Sequence, residues 1–219
     1  MTLRKSIPDR TRAQMVSEFF VRYSARMAFL LAFRFRCLGR EHFPEEGGAL
    51  LCANHQSFLD PLLVGAASDR RLNYIARKTL FRFKVFSRLI SFWDAIPINQ
   101  EGSGLGGIKE SLKRLRRGEM VLIFPEGART NDGEVDEFKP GFCSLARRGR
   151  VPVVPIGFDG AFDAWPRWRP LPWPAPICLC VGEPLSCELM NSLTDEELIA
   201  ELRKRILACH ERARQLRRR

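Results

Sequence analysis

Histidine is scarce in this chain, with three in 219 residues, and they form no cluster. The seven cysteines, at positions 37, 52, 143, 178, 180, 187 and 209, include no Cys-x2-Cys pair. Zinc-ribbon and His/Cys metal sites lack their ligand spacing, so no metal centre is expected. An odd cysteine count also argues against a complete disulfide framework, and the thiols read as buried or partly buried groups of a reducing compartment. Long apolar runs are missing too. Within the most apolar early segment, residues 15–36, the longest uncharged run is Met27 to Phe33. Seven residues fall far short of the roughly 20 that a spanning helix needs. The same interruptions make a poor signal peptide. No internal repeat or low-complexity linker divides the chain, and no helix-turn-helix, zinc-finger or RNA-stacking signature accompanies its basicity, which excludes nucleic acid as the expected partner.

The basicity itself is distributed unevenly. Residues 1–40 hold nine Lys/Arg against two acids and residues 201–219 hold eight against two, leaving the middle of the chain at −2 of the +11 total. Basic ends of this kind are attracted to anionic lipid headgroups. The mixture of Phe, Leu and Arg over 15–36 predicts an interfacial helix lying in the headgroup plane, with arginines snorkelling. Three parts follow: a basic amphipathic membrane-surface helix over 1–40, a single α/β domain over 41–190 and a basic helix over 191–219. The expected location is the cytoplasmic face of a membrane, as a peripheral or monotopic protein.

The α/β reading rests on short apolar blocks alternating with helical periodicity. Gly48–Ala53 and Met120–Phe124 read as buried strands and Ile177–Gly182 as a further strand, and Ile108, Leu112 and Leu115 recur at helical spacing before a glycine stop at Gly118. The pattern predicts a sandwich with a largely parallel central sheet flanked by helices. Val151–Phe158 is apolar but carries Pro152 and Pro155, which suits an edge or irregular strand. Thr194-Asp195-Glu196-Glu197 opens a C-terminal helix with a capping pattern. Trp165, Trp168 and Trp173 lie in a proline-rich stretch that reads either as a membrane-interface loop or as a loop covering the core.

Two segments carry chemistry. In Asn54-His55-Gln56-Ser57-Phe58-Leu59-Asp60-Pro61, a histidine at the end of a strand is followed five residues later by a carboxylate. Asp60 before a proline reads as a helix N-cap, with one oxygen capping and the other accepting an imidazole N–H. That bond fixes the tautomer and leaves the second ring nitrogen to take a proton from a hydroxyl. Taken alone, the same pattern is also that of a loop histidine beside a capping acid. The second segment, Phe124-Pro125-Glu126-Gly127-Ala128-Arg129-Thr130, ends another strand with Glu126, Gly127 and Arg129. If the two strands are parallel neighbours, both loops share the carboxyl edge of the sheet, where α/β proteins bind ligands.

These blocks, in this order, resemble those of the glycerolipid acyltransferases, specifically the lysophosphatidic acid acyltransferase branch. The first block, Asn-His-x4-Asp, is Asn54 to Asp60; the third is Phe124 to Thr130; the fourth is Val151 to Ile156; and Phe138-Lys139-Pro140-Gly141 is similar to the family's Phe-Lys-x-Gly. The resemblance covers about half the chain. It implies acyl transfer from acyl-CoA or acyl-ACP (acyl carrier protein) to the free hydroxyl of lysophosphatidic acid, giving phosphatidic acid in phospholipid biosynthesis. It further implies His55 as base, Asp60 as its partner, and Glu126, Gly127 and Arg129 on the acceptor, with no cofactor beyond the acyl donor. The second block departs from the family: Ile96-Pro97-Ile98-Asn99-Gln100-Glu101 puts Gln100 where an arginine usually contacts phosphate. Arg77 and Lys78, where the family commonly has a basic pair, are the candidates to compensate. Gln100 therefore keeps a second acceptor open, such as another lysophospholipid or a lyso-ornithine lipid. A non-catalytic lipid-binding protein with the same fold is the alternative of a different class.

Overall fold

The computed structural model describes residues 23–24, 27, 29–77, 96–98 and 105–219, with the backbone alone at 75–77, 96–98 and 105. Its centre is a seven-stranded sheet of β1 (Arg36–Leu38), β2 (Ala49–Ala53), β3 (Leu72–Arg77), β4 (Ile96–Ile98), β5 (Met120–Ile123), β6 (Val153–Asp159) and β7 (Cys178–Val181), in the order β1-β7-β6-β2-β5-β3-β4. Five strands, β4-β3-β5-β2-β6, run parallel; β7 is antiparallel to β6, and β1 is parallel to β7. The helices are α1 (Asp60–Ala67), α2 (Leu105–Arg116), α3 (Gly141–Gly149), α4 (Ala161–Ala164), α5 (Cys187–Ser192) and α6 (Asp195–Arg217). A mixed α/β sandwich with a largely parallel sheet is the expected fold and the observed one.

Every residue of β2, β5 and β6 is buried, as uninterrupted apolar runs require in a sheet covered on both faces. Strand alternation divides the core. Ala49, Leu51 and Ala53 join Leu63 and Val64 of α1 with Phe29 and Phe33 on one face. Leu50 and Cys52 join Leu115 of α2, Phe142 and Leu145 of α3, and Leu198, Leu202 and Ile206 of α6 on the other.

Strand β6 corrects an expectation. It is central, between β2 and β7, although it contains Pro155. Pro152 O, on the β2 side, accepts from Leu50 N at 3.0 Å, whereas Val153 and Pro155 turn their carbonyls the other way, to Leu185 N and Gly182 N, both at 2.8 Å. The β7 ladder begins only at Ile156, paired with Val181. The missing proline N–H therefore faces the gap past the end of β7, where no ladder bond is lost.

Helix α6 has the full capping box: Thr194 accepts from Glu197 N, and Glu197 accepts from Thr194 N at 2.8 Å. The helix lies across β6 and β7 and buries Leu198, Leu202, Ile206, Cys209, His210 and Ala213. Gly157 permits this approach, since a Cβ there would stand 2.2 Å from the His210 backbone nitrogen. Half of the expected interfacial helix over 15–36 lies outside the described residues. Residues 29–33 are helical, and Phe29 and Phe33 turn into the core while Leu30 and Leu31 are exposed. No described helix is long and apolar enough to cross a membrane.

Candidate active site

Parallel pairing of β2 with β5 and β6 brings three strand ends to one edge, and the loops leaving them interlock. His55, two residues beyond β2, is bonded on both sides of its peptide by the loop beyond β5. Its N–H donates to Glu126 Oε1 at 3.2 Å, and its carbonyl accepts from Thr130 N at 2.8 Å. Asp60 Oδ2 lies 2.8 Å from His55 Nδ1 and also accepts from Gln56 N at 2.7 Å and Ser57 N at 2.8 Å. A carboxylate oxygen holding two backbone N–H groups has a fixed position, so it fixes the ring it faces.

This arrangement differs from the expected cap. Asp60 is the first residue of α1 rather than its N-cap, which is Leu59, and Asp60 makes no side-chain cap. One oxygen takes the imidazole and both preceding amides; the other, Oδ1, is buried with no hydrogen-bond partner among the described residues. The chain folds back because the loop 56–59 is short enough for the carboxylate to close it. The imidazole stacks on Phe124, with ring centroids 3.8 Å apart and planes 13° from parallel. The His55 side chain keeps 19 % exposure, enough for its Nε2 edge to meet a substrate, while Asp60 is fully buried.

Glu126 is buried, and its Oε2 finds no partner among the described residues. Burial pushes its carboxyl up to about 8; the His55 N–H works against that rise, and the Asp136 and Asp60 charges add to it. Gly127 follows at φ +74°, its N–H donating to Phe124 O at 3.0 Å, and the Lys139 side chain lies over it, with Nζ 3.0 Å from where a Cβ would be. A side chain at 127 would meet both obstacles. The Arg129 guanidinium carbon stands 3.5 Å from the centre of the Phe58 ring, a cation-π contact that holds the fork beside the first block. Of the remaining candidates, Arg77 ends β3, paired in register with Ile98 at the end of β4. The first three residues of the second block are thus the edge strand of the sheet. Lys78 and Gln100 lie outside the described residues, as does the side chain of Arg77.

Four residues around the site have roles that the sequence does not assign: Phe58, Phe124, Asn54 and His210. Asn54 Oδ1 accepts from Phe158 N at 2.7 Å and its Nδ2 donates to Phe158 O at 3.2 Å, tying the end of β2 to β6. Against it, 3.3 Å away, lies Nδ1 of His210, buried in α6. Arg214 donates to His210 Nε2 at 2.7 Å, and since the guanidinium and Asn54 Nδ2 both only donate, the neutral ring, with its one acceptor nitrogen, accepts from one of the two. Burial, with the neighbouring Arg214 charge, holds the His210 pKa below its ordinary value. Arg214 continues to Glu134 at 2.5 Å and Asp159 at 3.4 Å, and Arg217 to Asp159 at 2.6 Å. Only the asparagine beside His55 hints at this network in the sequence. Among the described residues no group of three or more His, Cys, Asp or Glu could hold a metal ion.

Residues 34–159, which contain the whole interlocked edge, match the family described as Acyltransferase. The chain belongs to the acyltransferase family. As an acyltransferase it is similar to the 1-acyl-sn-glycerol-3-phosphate acyltransferase of Bacillus subtilis, 27 % identical over 164 residues that cover 74 % of this chain and 79 % of that one. The enzyme of the same name from Pseudomonas aeruginosa is 26 % identical over 187 residues, covering 83 % of this chain and 71 % of that protein. The chloroplastic enzyme LPAT1 of Arabidopsis thaliana is 26 % identical over 151 residues, and there the match spans 42 % of the relative's length. The fold is that of the crystal structure of the 1-acyl-sn-glycerophosphate (LPA) acyltransferase PlsC from Thermotoga maritima. The TM-score is 0.80 at 23 % identity, covering 97 % of this chain and 85 % of that one.

Proposed function

We propose that this acyltransferase moves a fatty acyl group from acyl-CoA or acyl-ACP to the free hydroxyl of lysophosphatidic acid, giving phosphatidic acid in phospholipid biosynthesis. We place the reaction at the cytoplasmic face of a membrane, with the enzyme held there peripherally or as a monotopic protein through anionic lipids. The observation that carries the reading is the 2.8 Å contact of His55 Nδ1 with an Asp60 oxygen already fixed by two backbone amides. Asp60 accepts a hydrogen bond from Nδ1–H, so Nε2 presents its lone pair to the acceptor hydroxyl. As the hydroxyl oxygen attacks the thioester carbonyl, its proton passes to Nε2, and Asp60 stabilises the resulting imidazolium. The tetrahedral intermediate collapses by breaking the C–S bond, and the imidazolium proton goes to the departing thiolate. The ester and the free thiol balance the reaction, with no covalent acyl-enzyme and no cofactor beyond the donor.

Glu126, Gly127 and Arg129 are assigned to the acceptor. Arg129 offers its planar fork to the phosphate, and Glu126, protonated at neutral pH, adds no negative charge beside it. Arg77 and Lys78 are assigned the compensation for Gln100. The names of the Bacillus and Pseudomonas relatives support the acceptor. Gln100 supports a second reading, the same chemistry on another lysophospholipid or a lyso-ornithine lipid.

The test is transfer from labelled acyl-CoA and acyl-ACP to lysophosphatidic acid, glycerol 3-phosphate, lysophospholipids and lyso-ornithine lipid. Turnover confined to lysophosphatidic acid is expected. Arg129→Ala is expected to raise the KM for that acceptor about tenfold or more, the loss of a charge-assisted contact of roughly 1.5–3 kcal/mol. Preference for a different lysolipid overturns the acceptor assignment, and Gln100→Arg then shifts use toward lysophosphatidic acid.

A further inference from the structure

We infer that the loop from Trp165 to Trp173 is a lipid-docking surface adjoining the active site, seating Trp168, Leu171 and Trp173 in the headgroup layer of an anionic bilayer. These three side chains are 63 %, 72 % and 69 % exposed. Among the described residues eight large hydrophobic side chains are exposed. Three are on this loop, four (Tyr23, Met27, Leu30 and Leu31) are on the N-terminal helical segment, and the eighth is Leu207. Seven of the eight therefore fall on two segments, and both pack on the same face of the sheet. Trp165 and Ala175 rest on the cluster that contains Phe29 and Phe33, and Ile177 N donates to Phe33 O at 2.9 Å. Seven of the eight exposed large hydrophobic side chains of the described residues thus sit on segments packed against one face of the sheet.

The exposure belongs to an ordered loop. Trp165 Nε1 donates to Arg169 O at 2.9 Å, Trp173 N donates to Ala164 O at 2.8 Å, and Trp168 meets the Phe162 ring edge-on at 5.2 Å. Prolines 166, 170, 172 and 174 remove N–H donors and restrict the backbone between these ties. Such a loop presents its rings without an ordering cost on contact.

The composition selects a lipid surface over a protein. Tryptophan favours the membrane–water boundary. Arg167 and Arg169 flank Trp168, no acidic residue occurs between Ala164 and Gly182, and the carboxylate of neighbouring Asp163 is taken by Arg217. Exposed indoles framed by cations complement anionic headgroups.

The loop also touches the first block. Ser57 Oγ donates to Trp165 O at 2.9 Å, and the Phe58 and Trp165 rings lie 5.3 Å apart. Docking here sets the His55 edge beside the headgroup layer, so a lysolipid reaches the base without leaving the bilayer. That consequence rests on the proposed acceptor; docking itself does not.

The test uses the full chain and vesicles of phosphatidylcholine and phosphatidylglycerol, with brominated phosphatidylcholine as a depth-dependent quencher. Trp168→Ala/Trp173→Ala, and separately Leu171→Ser, are expected to weaken vesicle partition at least tenfold. The double variant is also expected to lose most of the bromolipid quenching, and Trp168→Phe/Trp173→Phe to restore partition. Transfer to a monomeric short-chain lysophosphatidic acid is expected to hold while transfer to vesicle-borne acceptor falls. Unchanged partition and quenching in all variants overturns the inference. So does a self-association that Leu171→Ser abolishes while partition stays constant, because the surface then covers a second copy of the chain. Partition is read without turnover, so a failed acceptor assignment and a failed docking surface are told apart.

Discussion

Burial keeps the Glu126 carboxyl protonated through neutral pH, and this has a measurable consequence for stability. Its pKa stands at about 8 in the folded chain against an ordinary 4.5. Between those values the unfolded chain has released the proton and the folded chain retains it. The contribution is therefore complete below about 4.5, falls as pH rises, and is lost above about 8. Glu126→Gln keeps an acceptor for the His55 N–H and removes the titration. Across pH 5 to 8 the wild type is expected to lose stability relative to this variant by up to about 1.4 kcal/mol per pH unit. Denaturant melts of both proteins check this, and a constant difference contradicts it. At this scale the sequence was informative where partners are near neighbours. His55 and Asp60 meet because five positions separate them in one tight loop. The capping geometry assigned to Asp60 was not legible, because a carboxylate before Pro61 accepts equally well from the amides ahead of it. Phe124, the ring beneath the imidazole, reads only as the last apolar residue of a strand.

Elements set how closely these groups approach. The first and third blocks were legible as neighbours because continuous apolar runs make parallel strands with carboxyl ends on one edge. The central place of β6 was not, since a proline in a strand normally marks an edge and only the early stop of β7 makes this one harmless. Nor was the role of α6: Asn54 and His210 are 156 positions apart and meet only because the helix crosses β6 over Gly157. Gly157→Ala therefore forces strand and helix backbones apart. It is expected to cost about 2–4 kcal/mol, with acyl transfer falling as the close packing of α6 against Asn54 loosens. Gly106→Ala, in α2 with nothing within 4 Å of the added Cβ, is expected to stabilise by about 0.5–1 kcal/mol. Thermal melts of the pair distinguish close approach from a general effect of replacing glycine.

At the scale of the molecule, part of the basic charge is paired within the fold. The sequence shows basic ends, but at the C-terminal end part of that charge works internally: Arg214 and Arg217 are held by Glu134, Asp159 and Asp163. Residues 201–219 are thus a covering helix of the domain rather than a free cationic tail. Apolar exposure gathers instead on the side bearing Leu31, Trp168 and Trp173. In the tryptophan loop Trp165 packs on the core, as the covering reading expects, while the other two rings are exposed and their seating in a membrane interface is proposed.

Catalysis by His55 on a lipid hydroxyl is the central proposal. The most direct measurement is the rate at which the purified enzyme converts labelled acyl thioester and lysophosphatidic acid to phosphatidic acid, with His55→Ala alongside. The wild type is expected to turn over and the variant to lose about 10²- to 10⁴-fold in kcat while still binding the acceptor. A His55→Ala enzyme as active as the wild type, or a wild type that binds the lipid and never transfers an acyl group, would contradict the mechanism.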